Sequence, residues 1–398
     1  MVPGSGVAPE AVLTIAVLAL VCIGVVMVYS ASSATALLSE GNSTGLLVRQ
    51  SISAVVALGA FIACARIPPA RIIALGRPAV FVSLALLVAV LVPGVGIVGN
   101  GSRRWLGAGS IQVQPAEIAK LALVVWLAGY LARNADRLNR REGLVRPVGI
   151  AALLGLLILV EPDLGTAVVL GGVALAMIAI AGAPARVVGL IVGGAAAIGT
   201  IGILVEPYRR DRLLAFIDPW ADPGGNGFQI VQSELALGSG GVSGVGLGNG
   251  LQKIFYLPEA HTDMIVATLG EEMGLLGVLG VMGLIGAVVW SGYRIALSAP
   301  DLRQRLLAAG LTTLVALQAV VNLGAVLGVL PVTGVPLPFV SYGGSSLVVF
   351  AAATGILVGI GRRSRTARLR VVARSEPTSG GDRGGRDGRP HHAGARAG

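Results

Sequence analysis

The chain has 398 residues, of which 54% are hydrophobic and only 13% charged, and its formal net charge is +10. Soluble domains carry about 25% charged residues, so a water-soluble globular protein is excluded. With a mean hydropathy of +0.82 the chain reads as a polytopic membrane protein, its positive charge belongs at membrane surfaces, and no nucleic acid is expected as a partner.

Ten apolar runs approach the ~20 residues that cross a hydrocarbon core as a helix. In chain order they are Ala11–Ala31, Val48–Cys64, Ala79–Val98, Pro115–Ala132, Pro147–Val160, Leu164–Ala183, Val187–Val205, Met264–Trp290, Leu306–Leu330 and Phe339–Ile360. The first run has no basic segment ahead of it and is too long for a signal-peptide core, so it counts as a retained helix. The 59 glycines suit helices packed closely in lipid. Cys22 and Cys64 fall inside apolar runs as small core residues, and no Cys/His set has metal-ligand spacing. The expectation is an all-α polytopic integral membrane protein of about ten transmembrane helices. Residues 1–10 form an N-terminal segment, 11–361 the transmembrane domain with a large loop, 206–262, between helices 7 and 8, and 362–398 a tail. That tail is rich in Arg, Gly, Asp, Ser and Pro and reads as disordered, its first cluster "RRSRTARLR" suiting anionic lipid.

Sidedness is set by arginine and lysine. Alternate loops hold twelve of them and the tail ten more, against seven on the opposite side. Both termini are therefore expected in the cytoplasm, and the 206–262 loop outside it.

Ionisable residues in or beside spans are costly and mark candidate sites. Here they gather on the outer side. Arg104 and Trp105 precede the helix at Pro115, on which Glu117 and Lys120 lie three apart on one face; that pair is either a packing device or part of an anion site. Pro147–Val160 would span only about 21 Å as a helix. Either it extends inward through Arg146, or Glu161, Pro162 and Asp163 are sunk below the surface and line a cavity. The long loop brings a cationic group, Arg209, Arg210 and Arg212, and the stretch "GSGGVSGVGLGNG". That stretch lacks the GxxxxGK[ST] pattern, so flexibility or close backbone approach is the better reading. In "FYLPEAHTDMIVATLGEE" the residues Glu259, His261, Thr262, Asp263, Glu271 and Glu272 crowd the start of the next span. Partial burial could lift the Asp263 carboxyl toward the range of a general base. Ser341, Tyr342 and Ser345 either line the same cavity or cap the last helix. Cations at the rim suit a phosphate or pyrophosphate leaving group, and a mouth in lipid suits a lipid substrate.

The segments "RRWLGAGSIQVQPAEIAKLA", "EPDLGTAVVL", "FYLPEAHTDMIVATLGEEMGLLG" and "GVLPVTGVPLPFVSYGGSS" resemble the signatures of the SEDS family (shape, elongation, division and sporulation; FtsW, RodA and SpoVE). The resemblance covers Ala11 to Arg363, and "VMVYSASS", "PYRRDRLLAFIDPWADP" and "QKIFYLPEAHTD" are nearer to the family's cell-division member than to its elongation member. It implies a ten-helix peptidoglycan glycosyltransferase of the bacterial cytoplasmic membrane that joins lipid II units into glycan strands, at the division septum for the division member. The family assigns the catalytic carboxylate to Asp263 and points to Arg104, Trp105, Glu117 and Lys120. On this reading Asp263 takes the proton of an acceptor 4-hydroxyl that attacks C1 and inverts it. Lys120, with Arg104, Arg209, Arg210, Arg212 or a divalent cation (Mg or Mn), meets the departing pyrophosphate. The implied partners are lipid II, the growing strand, a class B penicillin-binding protein that supplies the transpeptidase, other division proteins and membrane lipid. The sequence departs from the family at "TDMIVATLGEE", where "TDFIFA" is commoner, and at Glu234, where an apolar residue is usual. The rival readings are an elongation-type polymerase, a lipid II flippase, a secondary transporter and a non-catalytic division scaffold.

Overall fold

The computed structural model describes residues 7–99, 102–108, 111–205, 207–254 and 256–375. Its helices are α1 (Pro9–Glu40), α2 (Gly45–Arg66), α3 (Pro69–Ala74), α4 (Gly76–Leu91), α5 (Pro115–Arg133), α6 (Arg141–Val160), α7 (Leu164–Ile180), α8 (Ala185–Val205), α9 (Pro207–Ile217), α10 (Phe228–Gly240), α11 (Ile265–Ser298), α12 (Leu302–Val326) and α13 (Gly344–Ser375). Each of the ten apolar runs is a helix. Among the described residues seven helices are long and apolar enough to cross a membrane, and α4, α7 and the first part of α8 are shorter apolar helices. The chain is a mostly helical, polytopic membrane protein.

Local chemistry sets several helix starts. Proline opens α1 and α5, where its missing N–H would have had no partner in any case. Asp163 and Asp301 cap α7 and α12 by accepting from Thr166 N at 3.0 Å and Gln304 N at 2.8 Å. The middle of the bundle is α5, α12 and α13, whose apolar windows are 83%, 78% and 83% buried, whereas those of α2, α6 and α11 are 17%, 28% and 28% buried and turn outward. In lipid no hydrophobic force drives helices together, so close packing needs small residues. At Gly24 of α1, a Cβ would sit 2.6 Å from Phe339 O and 2.8 Å from Val340 O.

The structure corrects the expected boundaries in three places and decides a fourth, the short fifth run, in favour of one of its two expected readings. The third run stops at Leu91 instead of Val98, because Pro93 cannot continue the helix. Beyond it the chain forms a small antiparallel sheet, where only helices were expected: β1 (Ile97–Gly99), β2 (Ser102–Ala108) and β3 (Ile111–Val113), in that spatial order, with Ile97 opposite Trp105 and Leu106 opposite Val113. The short fifth run is extended inward, since α6 begins at Arg141 and carries Pro147 inside it. Finally, α13 continues through Ser375, so the tail from residue 362 to 375 is helical, in keeping with its Arg, Ala and Leu content. The rest of the tail, 376–398, and residues 1–6 lie outside the described residues. Arg365 Nη1 stands 3.5 Å from Glu10 Oε1, and Arg363 donates to Arg66 O. The start of α1 and the ends of α2 and α13 therefore share one end of the bundle, opposite to the β-sheet and the α12–α13 loop.

Candidate active site at the sheet end of the bundle

Asp263 stands just before α11 and is half-buried. Burial raises its pKa to about 6, and the nearby Glu259 carboxylate adds to the rise; a backbone hydrogen bond, the Thr262 hydroxyl and, last, Arg212 oppose it. Glu259 itself is exposed and adopts a left-handed backbone (φ 56°), and its Oε2 accepts from Thr262 Oγ1 at 2.7 Å. Thr262 Oγ1 is also 3.3 Å from Asp263 Oδ1. Across from this turn runs the α12–α13 loop. Gly334 there has φ 71°, and a Cβ on it would lie 3.9 Å from Asp263 Oδ2, so carboxylate and loop are neighbours. Arg212, on α9, donates to Val332 O of the same loop at 3.1 Å. Of the three expected loop arginines Arg212 is thus brought to the site. Arg210 is exposed on the same helix, and the side chain of Arg209 lies outside the described residues.

The expected hairpin and last-helix residues converge beside it. His261 packs its ring 5.6 Å from that of Tyr342, and Tyr342 N donates to His261 O at 2.9 Å. Burial lowers the His261 pKa, with Glu259 working the other way. Ser341 Oγ accepts from Leu337 N at 2.8 Å. Ser345 Oγ accepts from Gln114 N at 3.1 Å and donates to Gln112 O at 3.2 Å. The two serines therefore fasten loop and helix start rather than offering free hydroxyls. Arg104, on β2, donates to Glu161 O at 2.9 Å and to Pro162 O at 2.6 Å, so it clasps the α6–α7 turn. Trp105 is half-buried beside it. Asp163 caps α7 and accepts from Gln114 Nε2 at 3.3 Å. Glu161 is 1% exposed, and neither carboxyl oxygen has a partner among the described residues. Burial and Asp163 raise its pKa to about 8 against the pull of Arg104.

Four expected site residues serve other purposes. Lys120 lies inside the bundle instead of at the rim; its ammonium is fully buried, donating to Glu117 Oε1 at 2.8 Å and to Gln318 Oε1, 5.6 Å from the Phe350 ring centroid. Glu117 is accordingly its ion-pair partner inside the bundle. Glu271 accepts from Leu251 N at 2.7 Å and from Gln252 N at 3.2 Å. Glu272 accepts from Ser30 Oγ at 2.6 Å and from Lys253 Nζ at 2.5 Å, and Lys253 also donates to Gly248 O at 2.9 Å. Both glutamates thus hold the glycine-rich loop. Backbone contacts complete the docking: Val245 N to Glu271 O at 3.0 Å, Gly246 N to Glu272 O at 3.0 Å and Leu275 N to Gly241 O at 2.9 Å. They require the break in α11 at Gly274 (φ 66°, ψ −166°), where a Cβ would strike Val242 and Gly244. Close backbone approach explains Gly240 and Gly244, and a left-handed backbone explains Gly241, Gly246 and Gly248. Sequence reasoning missed Ser30, Lys253, Gln318 and Asn322. The last two, polar residues four apart in the apolar helix α12, were the signal that could have been read.

Asp263 and Glu259 are the carboxylates a divalent cation could reach here; among the described residues no three His, Cys, Asp or Glu side chains converge to hold one. The FtsW/RodA/SpoVE family of cell cycle proteins matches residues 10–366. The chain belongs to this family. Stage V sporulation protein E of Bacillus subtilis is 40% identical to it over 360 residues, which cover 90% of this chain and 98% of that one. The probable peptidoglycan glycosyltransferase FtsW of Geobacter metallireducens is 41% identical over 358 residues, 89% and 95% of the two chains. In a solved peptidoglycan synthase complex that coordinates polymerization and crosslinking, one chain superimposes with a TM-score of 0.73 at 34% identity, over 88% of this chain and 97% of that one. The helical bundle is thus that of an FtsW/RodA/SpoVE protein.

Proposed function

We propose that this family member is a peptidoglycan glycosyltransferase that polymerises lipid II on the outer face of the bacterial cytoplasmic membrane. The observation that carries the reading is a half-buried aspartate with a pKa of about 6, set at one end of a membrane bundle against a loop gripped by Arg212. A carboxylate of that basicity suits removal of a proton from a sugar hydroxyl as it attacks. Asp263 takes the proton of the acceptor 4-hydroxyl; the oxygen bonds to C1 of the donor, the C1–O bond to the diphosphate breaks, and undecaprenyl pyrophosphate leaves. One displacement inverts the anomeric carbon. Arg212, whose charge acts on the base, is placed to stabilise the departing diphosphate, with Arg209 and Arg210 on the same helix. Trp105 offers an apolar face for a sugar or prenyl chain.

Support for the outward placement comes from the charge pattern and from the shared position of the two ends of the chain, Glu10 and Arg365, away from Asp263. On this reading residues 1–10 and the tail from 362 are cytoplasmic, and 206–262 is the outer loop. The relatives named for FtsW and SpoVE favour a division or sporulation septum over the side wall, with a class B penicillin-binding protein as the crosslinking partner. Purified protein given labelled lipid II should make glycan chains. Asp263→Ala should lower the rate by at least ~100-fold while the protein stays folded; full polymerisation by that variant would remove Asp263 from the role of base.

A further inference from the structure

We infer that Asn322, assisted by Gln318 one turn earlier on α12, is a positioning residue that holds the Asp263 backbone in register with the α12–α13 loop; this rests on Asp263 being the base. Both side chains are fully buried, 1% and 0% exposed, in a helix otherwise apolar on that face. Four residues apart, they lie one above the other. Asn322 Nδ2 donates to Asp263 O at 2.8 Å and to Val335 O at 2.8 Å. Because both partners are carbonyls, the amide nitrogen must face them. Its Oδ1 has no partner among the described residues, so the residue is held there for its N–H groups. Gln318 Nε2 donates to Pro336 O at 3.0 Å, and its Oε1 is fixed by the buried Lys120–Glu117 pair.

The carbonyls that Asn322 joins belong to two segments far apart in sequence. One carries the carboxylate. The other carries Gly334, which faces that carboxylate, and Val332, which accepts from Arg212. One amide therefore sets the spacing between the base and the arginine-bound loop. The buried Lys120, which the chemistry does not use directly, anchors this line from below. Displacing a reacting group by about 1 Å can cost about 100-fold in rate, whereas a contact that only stabilises the bundle would alter the folded fraction and leave the turnover of folded molecules intact.

The test is steady-state polymerisation of labelled lipid II by the full chain carrying Asn322→Leu, Asn322→Asp or Gln318→Leu, with Asp263→Ala as control and the folded fraction counted by thermal unfolding. Asp keeps the shape of Asn but has no donor when ionised and one when protonated, so it cannot hold both carbonyls at once. Asn322→Leu and Asn322→Asp should lower kcat of the folded protein by about 10- to 100-fold with the apparent KM within about threefold of the parent, and Gln318→Leu should act in the same direction but less. A folded Asn322→Asp protein with kcat within about twofold of the parent overturns the inference, as does a change confined to KM. Should Asn322→Leu not fold, the other two variants decide; if none folds, the pair is structural and the inference fails. An active Asp263→Ala control would instead sink the assignment of the base, and any Asn322 effect would then have to be structural.

Discussion

At the scale of single residues, burial and Glu259 favour neutral Asp263, while Thr262 and Arg212 favour the anion. With a pKa of about 6, the carboxylate predominates at pH 7 and is lost as pH falls through 6. Polymerisation that needs Asp263 as a proton acceptor should rise between about pH 5 and 7 and then level off. Glu259→Gln removes a charge that raises the pKa, so the midpoint should move to lower pH; rates measured across that range check both statements, and a flat profile would contradict them. Glu161 makes the complementary case. Its folded pKa of about 8 lies above the ordinary 4.5, so its contribution to stability is complete below the unfolded value and is lost as pH rises through 8. The thermal midpoint of the parent protein should fall between about pH 4.5 and 8 and level off above that, and Glu161→Gln should flatten that fall.

At the scale of elements, the glycine-rich loop and α11 form one unit through Lys253, Glu272 and Ser30. Removing one partner of a buried ion pair leaves an uncompensated charge and typically costs about 3–5 kcal/mol, while replacing both with apolar residues costs far less. Lys253→Met and Glu272→Leu should each lower the unfolding midpoint, and the double variant should recover much of the loss. The ten helices were legible in the sequence because their apolar length alone specifies them. The sheet was not, since β1 and β3 are three residues each and owe their pairing to a hairpin rather than to any pattern. α9 and α10 were hidden inside a loop whose polarity masked them. Of the site, Asp263 stood out by residue type and place. The Glu117–Lys120 pair was legible from its spacing, but the roles of Glu271 and Glu272 and the Gln318 contact of Lys120 were not, because a sequence displays a charge but not a partner distant in the chain or in a neighbouring helix.

At the scale of the whole molecule, α5, α12 and α13 form a buried centre from which Lys120, Gln318 and Asn322 reach the α12–α13 loop and the Asp263 turn, while the less buried helices face outward. The reading proposed above assigns crosslinking to a partner protein. Co-expression with a class B penicillin-binding protein should therefore yield a co-purifying complex and crosslinked product, and a fluorescent fusion should form rings at the septum; dispersed side-wall foci would instead favour an elongation role.

The interruption at Gly274 divides α11 into a short stub, Ile265 to Met273, with Asp263 at its tip, and a long membrane-crossing shaft. The 241–254 segment is fastened to that stub rather than to the shaft alone. A protein that grasped this surface segment would consequently tug on the mount of the acid itself, with the glycine as pivot, and need not touch the acid to be felt there.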